Sequence, residues 1–426
     1  MVTLESIFER NNMNLAYKRV VANKGSAGVD GMKVQDFLEH LKWHGPELVA
    51  SVKDGSYKPQ PVLRVLIPKE EKGKFRPLGI PTVTDRWVQQ CVAQKLSEAY
   101  EPVFSDNSHG FRPNRSCHTA LKKCLEHANN GYRWVVDLDL AKFFDTVNHS
   151  KLLQLLSERI KDGRVISLIH KFLRSPIREG SETKPNAIGT PQGGTISPVL
   201  ANVMLHELDK ELEKRGHRFV RYADDMMIFC ASRKAAERTL ANIKPFIEDK
   251  LFLKLNEEKT KICLITQLGE IKFLGFGFYL KEWQVRARPH NKSLKRCKAK
   301  LKELTCRSRG QSLQVFRQKL KEFAVGWVNY FRIGEMKSFL CTIDMWLRRR
   351  IRQIYWKQWK NPKTRKKALM KLGLSRDDAT SLANTRRAYW RVALSKTMTL
   401  TLNNKVLRQL GWISLSRLYD QKTAGY

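Results

Sequence analysis

The sequence predicts an α+β protein: an antiparallel sheet with helices, followed by a basic third that is helical. Three stretches carry that prediction. Arg218 to Tyr222 and Met226 to Cys230 read as two strands joined by an acidic turn, Ala223-Asp224-Asp225. Tyr132 to Leu140 alternates, with Trp134, Val136, Leu138 and Leu140 on one face and Val135, Asp137 and Asp139 on the other. After His290 the apolar spacing is almost wholly helical.

From the N-terminus, Leu4, Ile7, Phe8, Asn11 and Leu15 are spaced as one helix face, broken at Asn23-Lys24-Gly25. A second helix is expected from about Val34 to Trp43. Leu63 to Pro68 is extended, and Lys69 to Arg76 reads as a charged hairpin turn with a return strand to Ile80. Lys69 and Arg76 on its two arms suit a triphosphate clamp, or equally an exposed charged hairpin. Thr84 to Ala99 is helical in pattern. The polar run Asn107 to Ser116 opens a helix that Gly131 ends. Arg112 and Arg115 lie where they would hold a template strand or brace that helix. An acid on a strand as apolar as 132–140 is expensive unless paired or metal-bound, so Asp139 stands out. Phe143, Phe144 and Asp145 follow, then a helix from about Ser150 to Ile160.

Gly189 to Pro198 is a turn-to-helix junction, with Ser197 the expected N-cap and Pro198 at the first helical position. Ile196, Val199, Leu200, Val203, Met204, Leu208 and Leu212 make that helix amphipathic, and Gly216 ends it. The acidic hairpin follows. Two adjacent carboxylates at a tight tip repel unless a cation sits between them. Hard divalent ions take such oxygen ligands; a solvated surface turn is the plainer alternative. Arg233 to Lys250 is a helix with a kink at Pro245. Leu253 to Asn256 is strand-like, a lysine loop holds Lys259, and Ile271 to Phe278 is a glycine-punctuated hairpin. A break near Leu372 to Asp378 marks off a last small helical unit.

Composition narrows the partner. The 426 residues are too many for one ordinary core, so two to four subdomains are expected. The net charge is +38, which implies a polyanion, most simply nucleic acid. Lys281 to Tyr426 alone holds 36 Lys and Arg against 8 Asp and Glu, with seven of the ten Trp interleaved. The eight Cys show no C-x-x-C pair, which argues against a zinc knuckle or a disulfide framework. No apolar run reaches membrane-spanning length and no signal pattern opens the chain, so a cytoplasmic location is expected.

Taken in order, these motifs resemble a reverse transcriptase of the group II intron-encoded class. The residues are Gly110-Phe111-Arg112-Pro113, Asp139-Leu140-Ala141-Lys142-Phe143-Phe144-Asp145, Thr190-Pro191-Gln192-Gly193-Gly194, Arg221-Tyr222-Ala223-Asp224-Asp225 and Gly326-Trp327-Val328-Asn329-Tyr330-Phe331. The resemblance covers essentially the whole chain. It implies a right-hand polymerase with fingers, a palm of antiparallel sheet plus helices, an α-helical thumb and a small basic C-terminal unit. The corresponding limits are 1–85 for the N-terminal extension and fingers, 86–288 for palm and remaining fingers, 289–375 for thumb, and 376–426 for a DNA-binding unit.

The resemblance also implies a site. Asp139 and Asp224 would hold two Mg²⁺ ions, for which Mn²⁺ could substitute, with the Leu140 carbonyl as a further ligand and Asp225 assisting. Lys259 matches a lysine that protonates pyrophosphate. Lys69, Arg76, Phe143, Phe144, Gln192 and Ala223 match nucleotide contacts, Phe144 at the position whose ring excludes a 2′-hydroxyl. Arg112, Arg115, Gly275, Phe276 and Gly277 match template or primer contacts. The implied partners are an RNA template (the chain's own intron RNA), a DNA primer or target and dNTPs, with no obligate protein partner. Two alternatives stay open: an RNA-binding splicing chaperone with an idle site, and a retron, diversity-generating or CRISPR-linked enzyme. Nothing after Trp390 has the paired Cys and His-Asn-His pattern of a nuclease, so no self-made nick in target DNA is expected.

Overall fold

The computed structural model describes residues 1–68, 73, 75–191, 193–267 and 269–424, so Lys69 and Gln192 lie outside the described residues. The chain folds as two compact units, Met1–Ile265 and Thr266–Tyr426. That boundary falls before the glycine hairpin, earlier than the 288/289 junction expected above.

Unit one opens with three helices, α1 (Leu4–Ile7), α2 (Arg10–Ala22) and α3 (Phe37–Lys53). α3 runs well past Trp43, with Gly45-Pro46 inside it. Phe37 and Val52, near its two ends, are both buried. Packing of that kind, more than local propensity, stabilises a helix in a protein. Two strands follow, β1 (Val62–Pro68) and β2 (Phe75–Ile80), then α4 (Val83–Tyr100), α5 (Cys117–Asn129) and β3 (Trp134–Leu138). A one-turn helix α6 (Phe143–Thr146) leads to α7 (His149–Arg159) and α8 (Gly163–Leu173). Two three-residue strands, β4 (Ile177–Glu179) and β5 (Glu182–Lys184), were not foreseen. They are too short to show a period. β4 pairs parallel to β1 and completes a sheet of order β2-β1-β4-β5.

α9 (Ser197–Lys214) corrects a detail of the sequence reading. Ile196 occupies the N-cap and Ser197 is already helical. The Ser197 hydroxyl donates instead to the Pro191 carbonyl at 2.9 Å. β6 (Arg218–Tyr222) and β7 (Asp225–Cys230) form the acidic hairpin, followed by α10 (Arg233–Pro245). The kink expected at Pro245 is a change of helix type: the α-helix stops there and Phe246–Lys250 continues as a π-helical turn. β8 (Lys261–Leu264) closes the second sheet, of order β6-β7-β3-β8, antiparallel throughout.

The register of this sheet sorts its side chains. Asp137 lies opposite Met227 and Leu138 opposite Met226, so strand neighbours share a face. Val136, Leu138, Phe219, Met226 and Ile228 join one core with residues of α9 and α10. Val135, Asp137 and Asp139 point the other way, with Asp225, Met227 and Phe229. That second face is buried and apolar at the Val135–Phe229 end and acidic at the other.

Unit two begins with a hairpin of β9 (Phe276–Lys281) and β10 (Gln284–Pro289). Nine helices follow among the described residues: α11 (Asn291–Leu304), α12 (Leu313–Phe331), α13 (Lys337–Gln358), α14 (Pro362–Lys371), α15 (Arg376–Ala383), α16 (Tyr389–Val392), α17 (Lys396–Thr401), α18 (Asn404–Gln409) and α19 (Leu415–Thr423). The expected break falls between α14 and α15 at Gly373, where φ is +90°. Trp356 and Trp412 are core residues. Among the described residues, no helix is long and apolar enough to cross a membrane.

Candidate active site

The tip of the β6–β7 hairpin is built on strain that its surroundings hold in place. Tyr222 pairs with Asp225, leaving Ala223 and Asp224 as the turn. Ala223 has φ +58° while Asp224 does not share that sign. Positive φ at the first central residue alone is the type II′ pattern, where glycine is usual. A non-glycine residue held in a sparsely populated region costs about 1–3 kcal/mol.

Arg221 supplies the restraint. Its side chain and that of Asp209 are both fully buried, and they pair with Nη2 to Oδ2 at 2.5 Å. Nε donates to the other Asp209 oxygen at 2.7 Å, which makes the pair bidentate. Nη1 donates to the Ala223 carbonyl at 3.0 Å and to Asn202 Oδ1 at 2.9 Å. Asn202 in turn donates to the Gly110 carbonyl at 2.8 Å. Gly110 lies so close to the turn that a Cβ there would come within 2.2 Å of the Ala223 nitrogen. The Arg221 backbone exchanges hydrogen bonds with Asn107 and His109, both 2.8 Å, which covers the outer edge of β6. One guanidinium thus ties together a helix, a loop and the turn bearing Asp224. Arg221, Asp209 and Asn202 were missed in the sequence. A signal was present, since 202, 205, 209 and 212 fall on one helical stripe and two of them are polar.

The acidic residues gather at one end of the sheet. The register that sets Leu138 opposite Met226 brings Asp139 level with Asp225. Asp139 extends β3 by one residue, its carbonyl accepting from Asn256 at 2.9 Å and its N–H donating to Thr260 Oγ1 at 3.3 Å. The strand-like run Leu253 to Asn256 therefore pairs with the end of β3, through a Leu140–Leu255 bridge. Burial raises the Asp224 carboxyl and Asp139 adds to the rise, while Arg76 and Arg221 hold it back. Arg76, on β2, is therefore within electrostatic reach of the acidic turn. Lys259 Nζ lies 3.4 Å from Asp139 Oδ2 on an open surface. Asp137, ranked below Asp139 in the sequence, is pushed up to about 7, first by burial and then by Asp225 and Asp139, against the pull of Lys261.

Among the described residues, no three His, Cys, Asp or Glu side chains form a metal cage. The donors that do meet here are carboxylate oxygens. Such a set fits a hard divalent ion that takes one or two protein carboxylates and completes its shell with water and substrate phosphates.

Phe144 lines a cavity of about 500 Å³, with Arg64, Pro77, Gly79, Thr190 and Pro191 among its walls. That volume lies in the range of small-molecule sites. Gly193 packs against β2, where a Cβ would meet the Gly79 carbonyl at 2.2 Å. Phe143, expected at the nucleotide, is instead a core residue, 2% exposed. Successive residues of a helical turn point about 100° apart, so only one of the two rings reaches the cavity.

Three further expectations need correction or relocation. Arg112 is buried, and its guanidinium donates to the Glu101 carboxylate and to the carbonyls of Glu101, Ser105 and Ser108. With its donors engaged, it braces the loop rather than facing a template. Arg115 pairs with Asp106 at 2.6 Å near the surface. In unit two the Phe276 ring is fully buried against Tyr330 and Phe331, so the ring packs the core rather than facing a template or primer.

Two families of known proteins match successive parts of the chain. Residues 67–278 match the family described as reverse transcriptase (RNA-dependent DNA polymerase). Residues 294–373 match the group II intron, maturase-specific domain. The chain is 35% identical to the group II intron-encoded protein LtrA of Lactococcus lactis subsp. cremoris, over 62% of this chain and 54% of that one. It is 32% identical to protein YkfC of Escherichia coli (strain K12), over 58% of this chain and 75% of that one. The chain thus spans about half the length of LtrA.

Two predictions follow from the site's electrostatics. The folded-state value of Asp137, about 7, lies above that of an unfolded Asp, about 3.9. The folded protein therefore keeps this proton longer, and the group becomes unfavourable as pH rises from about 4 towards 7. Asp137→Asn is expected to stabilise metal-free protein by about 1–3 kcal/mol at pH 8 and to change nothing at pH 4; thermal melts in chelator at both pH values check this. Arg221→Leu strands a buried Asp209 charge and is expected to cost about 3–5 kcal/mol in urea unfolding. Asp209→Leu in the same chain should return most of that loss.

Proposed function

Because the chain belongs to the reverse transcriptase family, in the branch that also carries a group II intron maturase-specific domain, we propose that it is an RNA-directed DNA polymerase that also acts as a maturase. It would copy RNA, its own group II intron RNA in particular, into DNA from dNTPs, and assist splicing of that intron. The observation that carries this reading is that Asp139, at the end of β3, and Asp224, in the β6–β7 turn, lie near enough for Asp139 to raise the Asp224 carboxyl after burial has done so, with Arg76 near enough to oppose the rise.

Each residue then has a task. Asp139 and Asp224 would hold two Mg²⁺ ions, with the Leu140 carbonyl and Asp225 assisting. When bound, such ions activate the primer 3′-hydroxyl and neutralise charge on the departing pyrophosphate. Arg76 brings a fixed positive charge to the position of the triphosphate. Lys259 lies against Asp139 in the free protein. From there its ammonium is placed to give a proton to the pyrophosphate oxygen. Phe144 sets its ring where a ribose 2′-hydroxyl would lie, so deoxynucleotides are selected. The positive surplus beyond residue 280 tracks the phosphates of RNA and target DNA. Residues 376–426 are the part assigned to DNA.

The test is primer extension on an RNA template with dNTPs and Mg²⁺. Asp224→Asn is expected to lower the rate by about a hundredfold or more, the scale of losing one preorganised electrostatic contact. Salt-sensitive RNA binding by the same variant should be retained. Extension by Asp224→Asn at the wild-type rate would remove the metal assignment, and RNA binding without extension by the wild type would favour the splicing-chaperone reading.

A further inference from the structure

The one-turn helix α6 that carries Phe144 has little stability of its own. It starts from Lys142 in the left-handed region, φ +48°, and spans four residues. A helix that short leaves most of its carbonyls without helical donors. A second segment supplies them. The Thr190 N–H donates to the Phe144 carbonyl at 2.6 Å, and the Gly189 N–H donates to the Val147 carbonyl at 2.9 Å. Gly189 has φ +88°, and a Cβ on it would meet the carbonyl oxygens of Phe144 and Asp145 at 2.8 Å. The approach is therefore open to glycine alone.

What fixes Gly189 is His149. Its Nε2 lies 2.6 Å from the Gly189 carbonyl oxygen, and facing a carbonyl it must donate. The imidazole is buried and opens α7, whose Leu152, Leu155 and Leu156 sit in the core. A rigid helix thus reaches across to the loop, and the loop holds the backbone of Phe144. The same loop lines the cavity next to the Phe144 ring.

We propose that His149 is a positioning residue for sugar selection: through Gly189 it clasps the Phe144 backbone and fixes the ring against the nucleotide's 2′ position. The proposal rests on the polymerase reading above and deepens it. His149 touches no substrate. Its removal leaves Phe144 present but free to move away from an incoming ribose.

The experiment compares kcat/KM for a single dNTP and the matching rNTP on an RNA template. His149→Ala is expected to lower the dNTP preference by about tenfold or more. His149→Gln, which keeps an N–H within reach of the Gly189 carbonyl, should restore most of it. His149→Phe fills the same buried volume without a donor and should behave as the Ala variant, which covers the case where Ala fails to fold. In a Phe144→Ala background, His149→Ala should shift the preference less than twofold, because the two act as one unit. A parallel fall in both activities with the preference unchanged would assign His149 to folding alone and overturn the clasp. Full additivity with Phe144→Ala would also overturn it. Absence of any incorporation by the wild type would sink the polymerase reading first, and the clasp with it, a result distinct from both.

Discussion

The buried pair of Arg221 and Asp209 is the interaction on which the candidate site depends. Both side chains are fully excluded from solvent. Taking two charges out of water is costly, and only close geometry with further hydrogen bonds offsets it. Here the guanidinium meets both carboxylate oxygens and reaches Asn202 and the Ala223 carbonyl as well. A pair of apolar residues could fill that volume and would be at least as stabilising. It could not hold a carbonyl of a strained turn at a fixed place. The pair therefore trades stability for position, and the position it sets is that of Asp224.

The same logic explains why the Gly-Phe-Arg-Pro motif sits beside the turn. Gly110 presses on the Ala223 backbone, and its own carbonyl is held by Asn202. Arg112, two residues on, locks the loop from inside through Glu101. The motif is thus a scaffold for the acidic tip. Asp137, Asp139 and Asp225 share one end of the sheet face that Val135 and Phe229 continue. Burial first, and then the like charges gathered there, raise the Asp137 carboxyl, and the apolar end of that face is packed.

The second unit makes a different use of its residues. Phe276 of its hairpin packs under Tyr330 and Phe331, and Tyr330 donates to the Leu274 carbonyl at 2.9 Å. Basic residues on its helices carry the surplus charge. Two of its Trp residues are core and Trp283 is largely exposed. An aromatic in a basic sequence is therefore as often packing as contact, and only burial separates the two.

Local patterns in the sequence announced β1, β2, β3, the β6–β7 hairpin and most of the helices, whereas β4, β5 and β8 carried no such pattern. Alternation fixed the faces of β3, and two adjacent acids between apolar runs fixed the hairpin, because these are local consequences of side-chain period. Motif order along the chain gave the family. Tertiary structure alone decided which neighbour of a motif does what. Phe143 and Phe144 are adjacent and chemically identical, yet one is core and the other lines a cavity. Arg112 was open to a template contact or a brace and Arg221 had no assigned role, yet both are buried against carboxylates. His149 carried no signal at all, since its partner is a backbone carbonyl 40 residues away. Burial and long-range hydrogen bonds are properties of converged segments, and no local period encodes them.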